Sequence, residues 1–155
     1  MAGKVRAIPD EYRGATPYLC VKGAGAAIEF YKKAFGAREV MRIPMGDKIG
    51  HAELRVGEAP FMLADEFPEM NFRSPQALGG TPVNILIYVD NVDELAKRAE
   101  GAGAKVLRQP ADQFYGDRMA TLEDPYGHSW SFATHIEDVS PEEMRKRAAA
   151  HAHQM

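Results

Sequence analysis

Residues 26–37 read Ala-Ala-Ile-Glu-Phe-Tyr-Lys-Lys-Ala-Phe-Gly-Ala, and the end of that stretch, Phe35-Gly36-Ala37, returns as Ala102-Gly103-Ala104. The first copy is an amphipathic helix over 26–35. Ala27, Tyr31, Ala34 and Phe35 share one face, while Glu29, Lys32 and Lys33 point to water. Gly36 supplies the C-cap. The strand before each helix repeats as well: Leu19-Cys20-Val21 is matched by Ile87-Tyr88-Val89. The two offsets, 67 and 68, differ by one inserted residue, so the chain holds two supersecondary units in tandem.

Working outward, each unit reads as strand, helix and three strands. In the first, strands are expected over 16–22, 38–44, 49–56 and 61–64, with Gly46-Asp47 and Gly57-Glu-Ala-Pro60 as turns. In the second they are expected over 83–89, 105–109, 118–123 and 128–134, with a helix over 92–102 capped by Asp90 or Asn91. Asp124-Pro-Tyr-Gly127 has Pro and Gly where a type I turn wants them. Residues 65–82, with three prolines and Gly79-Gly80, form a long connection of the kind that is functional or mobile. The predicted organisation is an arm (1–15), one module over 16–67, a linker (68–81), a second module over 82–135 and a helical tail (136–155). The fold class is α+β: two tandem βαβββ modules forming a concave mixed sheet, helices on its outer face, completed by dimerisation. Ser140-Pro-Glu-Glu143 is a capping box that starts the tail helix, expected over 141–150, with His151 and His153 beyond it.

With 155 residues the chain can bury a full core, roughly 70% of its unfolded surface, without metal or disulfide. Nineteen Lys and Arg against 22 Asp and Glu leave no basic stripe, so nucleic acid is not an expected partner. Cys20, the one cysteine, cannot form an internal disulfide, and no apolar run reaches the length of a membrane span. Met1 to Ile8 lacks the apolar stretch of a secretory signal, so a cytoplasmic location is expected.

Strand parity sorts the side chains. Leu19 and Val21, Ala52, Leu54 and Val56, Ile85, Ile87 and Val89, and Trp130 and Phe132 are assigned to the core. That leaves Thr16, Tyr18 and Cys20, His51, Glu53 and Arg55, Asn84, Leu86 and Tyr88, and Ser129, Ser131 and Ala133 on the concave face, where a ligand fits.

The stretches 26–37, Gly50-His-Ala-Glu-Leu-Arg-Val-Gly57, Phe114-Tyr-Gly-Asp-Arg118 and Asp124-Pro-Tyr-Gly-His-Ser-Trp130 together resemble the vicinal oxygen chelate superfamily. That superfamily includes glyoxalase I, bleomycin-resistance proteins and extradiol dioxygenases, and the chain is most similar to its PhnB-like branch. The resemblance implies paired βαβββ units that form a cup, usually completed in a homodimer. In catalytic members it implies four metal ligands, two per unit, usually His, Gln or Glu. At the matching positions this chain has Thr16, Asn84, Ser131, and Met62 or Ala64. None suits a divalent first-row metal, so the resemblance does not transfer metal chemistry, and no metal or cofactor is assigned.

His51 and Glu53, two residues apart on one strand face, are the catalytic candidates: an acid/base pair, ligands of a displaced metal site, or a solvated polar face. With an offset of 67, Arg118 falls opposite His51. The expected ligand-binding set is Tyr18, His51, Glu53, Asn84, Leu86, Tyr88, Phe114, Tyr115, Arg118 and Ser131. His51, Glu53, Tyr115 and Arg118 are expected to converge, with Arg118 holding a polar or anionic group. Asn71-Phe72-Arg73 could close the cup, meet a partner subunit or be an ordinary loop. His128 and His135 read as satisfying backbone groups, and Cys20 as a small hydrophobe. The function read from these residues is a metal-independent small-molecule binder. The alternative is a lyase, isomerase or dioxygenase with a displaced metal site at His51 and Glu53.

Overall fold

The apolar residues spaced three and four apart in the first helix have one place to go. Ala24, Ala27, Ile28, Tyr31, Ala34 and Phe35 are all buried, and the helix α1 runs Ala24–Phe35. It stops at Gly36, whose φ of 68° is left-handed and whose N–H donates to the Tyr31 carbonyl. A computed structural model describes residues 3–153. Before α1 lies β1 (Tyr18–Val21); after it come β2 (Arg38–Met45), β3 (Lys48–Val56) and β4 (Ala59–Asp65). A short 3-10 turn (Pro68–Met70) and α2 (Pro75–Leu78) break up the long connection. The second module holds β5 (Asn84–Tyr88), α3 (Val92–Ala102), β6 (Lys105–Asp112), β7 (Asp117–Glu123) and β8 (Ser129–His135), and the tail forms α4 (Pro141–Ala152).

The strands make two four-stranded sheets, ordered β1-β4-β3-β2 and β5-β8-β7-β6. In each, the first strand runs parallel to the fourth and the rest are antiparallel. β1 and β5 are therefore the corresponding edges of the two sheets. The repeat extends to the helix starts, with different chemistry in each. Asp65, at the end of β4, accepts from the backbone N–H groups of Gly23 and Ala24 at 3.0 and 2.8 Å. Thr134, in β8, takes the Val92 N–H at 2.9 Å, while Asn91 caps α3 by accepting from Glu94.

A shared core joins the modules. Phe35 packs on Trp130 and Phe132 with ring centroids 5.0 and 4.8 Å apart, and Phe61 packs on Trp130 at 5.2 Å. Inside it lies buried Asp124, which accepts from Tyr31 Oη at 2.6 Å and Trp130 Nε1 at 2.9 Å. Its other oxygen takes the N–H groups of Tyr126 and His128. Every lone pair of consequence is used, which is what a buried carboxylate requires. Arg98 of α3 adds a second tie by donating to the carbonyls of Lys32 and Lys33 at the end of α1.

Three expectations need correction. β1 starts at Tyr18, leaving Thr16 outside the strand. The tail helix runs to Ala152, so His151 lies within it; its ring sits 5.4 Å from that of Phe114. The register places Ala52 opposite Leu63 and Ala120 opposite Phe132, so His51 corresponds to Met119 and not to Arg118. Tyr18 faces Met62 and Leu86 faces Ser131, which makes Met62 rather than Ala64 the counterpart of Ser131. No helix among the described residues is long and apolar enough to cross a membrane.

Candidate functional site

Strand parity places the side chains as period-2 geometry requires. Leu19, Val21, Ala52, Leu54, Trp130 and Phe132 are buried on the helix side. Tyr18, Leu86 and Tyr88 project from the other face and are 46%, 46% and 57% exposed. A cleft of about 750 Å³ opens along the β1 and β5 edges and is roofed by the 71–82 connection. Tyr18, Asn84 and Leu86 line it, together with Phe72 and Arg73.

Behind Tyr18 runs a hydrogen-bonded chain. Tyr18 Oη lies 2.7 Å from His51 Nδ1, and His51 Nε2 lies 3.0 Å from Glu53 Oε1. The second Glu53 oxygen accepts from Tyr12 Oη, in the N-terminal arm. A carboxylate only accepts, so Nε2 carries a hydrogen, and in the neutral ring Nδ1 then accepts from Tyr18. The bond from Tyr12, reinforced by that from His51, holds the Glu53 carboxyl below its ordinary range. Burial, with Glu53 nearby, pushes the Tyr18 phenol up and keeps it a neutral donor. The arm is clamped further by Arg55, which donates to the Glu11 carbonyl and lies over the Tyr12 ring. No feature of residues 1–15 signals Tyr12 in advance.

The remaining expected residues do not converge on this chain. Arg118 shares the parity of Ala120 and Leu122 and so lies on the helix side. There it bonds both oxygens of Asp93 at 2.7 and 2.8 Å, and Asp112 at 3.0 Å. Asp93, then Asp112, raise its already high pKa, and three of its five N–H donors are engaged there. Phe114 serves the tail: its ring meets that of His151 at a tilt of 37° and its carbonyl accepts from Arg147. Tyr115 donates to Met119 Sδ at 3.7 Å, at the rim of the second module and outside the β1/β5 cleft. Ser131 is buried and bonded to Thr121 Oγ1 at 3.0 Å.

Tyr88 belongs to a second cleft, of about 900 Å³, with His135. Its hydroxyl donates to buried Asp117 at 2.6 Å, and the other Asp117 oxygen holds His135 Nδ1 at 2.8 Å. His135 Nε2 reaches Asp138 at 2.7 Å. This histidine satisfies carboxylates and not backbone groups, as its strand parity with Ser129, Ser131 and Ala133 could have signalled. His128, in contrast, meets backbone as expected: Nε2 donates to the Cys20 carbonyl at 2.8 Å and bridges the two modules. Cys20 is buried, and burial, with the Glu66 and Asp65 charges, pushes its thiol up to about 11, far from a reactive thiolate.

A family model matches residues 14–132, most of the chain. The chain belongs to the Glyoxalase/Bleomycin resistance protein/Dioxygenase superfamily. Two mycobacterial members of unassigned function are 42% identical to it over 134 residues. They are Mb0911c of Mycobacterium bovis and Rv0887c of Mycobacterium tuberculosis; the match spans 84% of this chain and 88% and 79% of theirs. Among solved structures, TioX from Micromonospora sp. ML1 aligns over 83% of this chain and all of its own, with a TM-score of 0.64 at 25% identity. The fosfomycin resistance protein FosX of Listeria monocytogenes, complexed with Mn(II) and sulfate, covers 88% of this chain and 97% of its own. It has a TM-score of 0.61 at 18% identity, which shows the shared fold.

The positions that the resemblance assigns to metal ligands carry Thr16, Met62, Asn84 and Ser131. A thioether, two hydroxyls and an amide do not fit a divalent first-row metal. Thr16 lies off its strand and the Ser131 hydroxyl is already bonded. His51 and Glu53 fit no better, since both imidazole nitrogens are committed. Among the described residues no group of three or more His, Cys, Asp or Glu side chains is placed to hold a metal.

Proposed function

We propose that this superfamily member is a PhnB-like, cytoplasmic homodimer that binds a small organic molecule in the β1/β5 cleft without the usual metal. The donor chemistry at the four strand positions carries this reading: hydroxyl, thioether and amide stand where ligation needs imidazole or carboxylate. The cleft supports it, being of ligand size and walled by Tyr18, Phe72 and Leu86. The expected result is that untagged protein, after mild dialysis, carries no stoichiometric transition metal by plasma mass spectrometry and is stabilised by members of an aromatic small-molecule panel in thermal-shift assays. One tightly held zinc, manganese, nickel or iron per chain would overturn it.

A second reading, a lyase or isomerase, is favoured by one observation, the Tyr18–His51–Glu53 chain ending in the cleft. Glu53 orients the imidazole, and Nδ1 is the site that would receive a proton relayed through Tyr18. On this reading a metal found at His51 and Glu53 would have displaced Tyr18 or Glu53 from the ring, and His51→Gln would release it.

A further inference from the structure

We infer that the β1/β5 cleft selects an oxyanion on a small apolar or aromatic body, with Arg73 as the group that binds the negative charge. This rests on the reading of the cleft as a ligand site. Arg73 is the one side chain of fixed charge lining the cleft. The one imidazole there, His128, gives its Nε2 hydrogen to the Cys20 carbonyl. No carboxylate lines the cleft. Arg73 makes no ion pair among the described residues; Arg38, Arg55, Arg98, Arg108 and Arg145 make none either, but none of those lines this cleft.

The segment that presents Arg73 is pinned on both sides. Phe67 and Phe72 exchange two backbone hydrogen bonds, at 2.9 and 3.1 Å, around a turn closed by Asn71 at a φ of 58°. Ser74 is fully buried, donates to Glu66 at 2.7 Å and caps α2 by accepting from Ala77. Pro75 beside it is buried. The guanidinium thus projects from a fixed backbone, so only its own side-chain torsions are left to order when its planar fork meets a carboxylate. Next to it, Phe72 meets Tyr18 edge-on with centroids 5.9 Å apart, while Val83 and Leu86 add exposed apolar surface. The lining is therefore an apolar wall, a few neutral polar groups at Thr16, Thr81 and Asn84, and one unopposed cation.

The test compares 2-naphthoate with 2-naphthamide, a shape-matched neutral probe, by calorimetry and by NMR shifts of cleft residues. Wild type, Arg73→Gln, Arg73→Lys and Arg145→Gln are compared; Arg145 is an exposed arginine on α4 outside the cleft. The acid should bind wild type about tenfold or more tightly than the amide. Arg73→Gln should lose about that factor for the acid and nothing for the amide, Arg73→Lys should fall between, and Arg145→Gln should match wild type. Added salt should weaken the acid alone. Thermal melts of the variants check folding. If acid and amide bind alike, or Arg73→Gln binds the acid as wild type does, the oxyanion assignment is overturned while the cleft remains a ligand site. If neither probe shifts any cleft resonance, both fall.

Discussion

Asp124 shows how much of this molecule rests on single residues that look ordinary in the chain. In sequence it opens a Pro-Gly turn; in the fold it is the buried acceptor for Tyr31 and Trp130, one from each module. Asp124→Ala should cost about 3 kcal/mol or more in urea unfolding, because two buried donors lose their acceptor and two turn N–H groups lose theirs. Asp124→Asn should cost less, since its amide oxygen can still accept. A loss under about 1 kcal/mol for the alanine variant would show that water replaces the carboxylate and that the modules are held by packing alone. The concave positions of Tyr18, His51, Glu53, Asn84, Leu86 and Tyr88 were legible, because alternation along a strand needs only one correctly assigned core residue. Arg118 was misplaced although the same rule covers it: Ala120 and Leu122 put it on the helix side. The error came from matching modules by offset, and a single inserted residue turns a strand face over. Arg73 could not be ranked above the other arginines, since its distinction is its place in the cleft lining, which composition does not record.

At the scale of elements, the sequence located every strand and the three long helices, but neither α2 nor the ends of the elements. β6 was expected to stop at Gln109, before Pro110, yet it runs to Asp112. β6 is an edge strand, and its register with β7 shifts between Arg108 and Ala111, which accommodates a residue with no N–H to donate. The tail is likewise more integrated than its composition suggests. The Ile136 and Glu137 N–H groups both donate to the Gly116 carbonyl, and a Cβ at Gly116 would collide with the Glu137 carbonyl. Arg147 then clasps Glu137 at 2.8 and 2.9 Å. His135, where β8 passes into the tail, is held by Asp117 first and Asp138 second, and both raise its pKa above 6.5. A raised folded value means stability that is fully present below about pH 6.5 and lost as the pH climbs through the folded value. Wild type should therefore lose melting temperature between about pH 6 and pH 8.5 relative to His135→Gln. Parallel melting curves for the two proteins across that window would show that the imidazole contributes equally in both protonation states.

At the scale of the whole molecule, the two modules are alike in topology and unlike in their outer edges, and that difference bears on assembly. β2, the outer edge of the first sheet, exposes Val40, Met41, Ile43 and Met45, at 43%, 38%, 45% and 58%. β6, its counterpart, breaks its edge with Arg108, Gln109 and Pro110 and exposes one large hydrophobe, Leu107. β2 carries Arg42, Pro44 and two register shifts of its own, so the two edges differ in exposed apolar area, and a bare apolar edge invites uncontrolled pairing. The concave faces add Tyr18, Leu86 and Tyr88 to the exposed apolar area, more than scattered surface residues would explain. In the proposed homodimer a second copy would cover this apolar area. Light scattering at micromolar concentration should thus give roughly twice 17.1 kDa. Ile43→Lys with Met45→Lys should shift the protein toward monomer without lowering its helix and strand content, since both side chains are already exposed and contribute little to the core. A wild-type monomer at that concentration would overturn the homodimer, and a double variant that stays dimeric would remove β2 from the contact between copies.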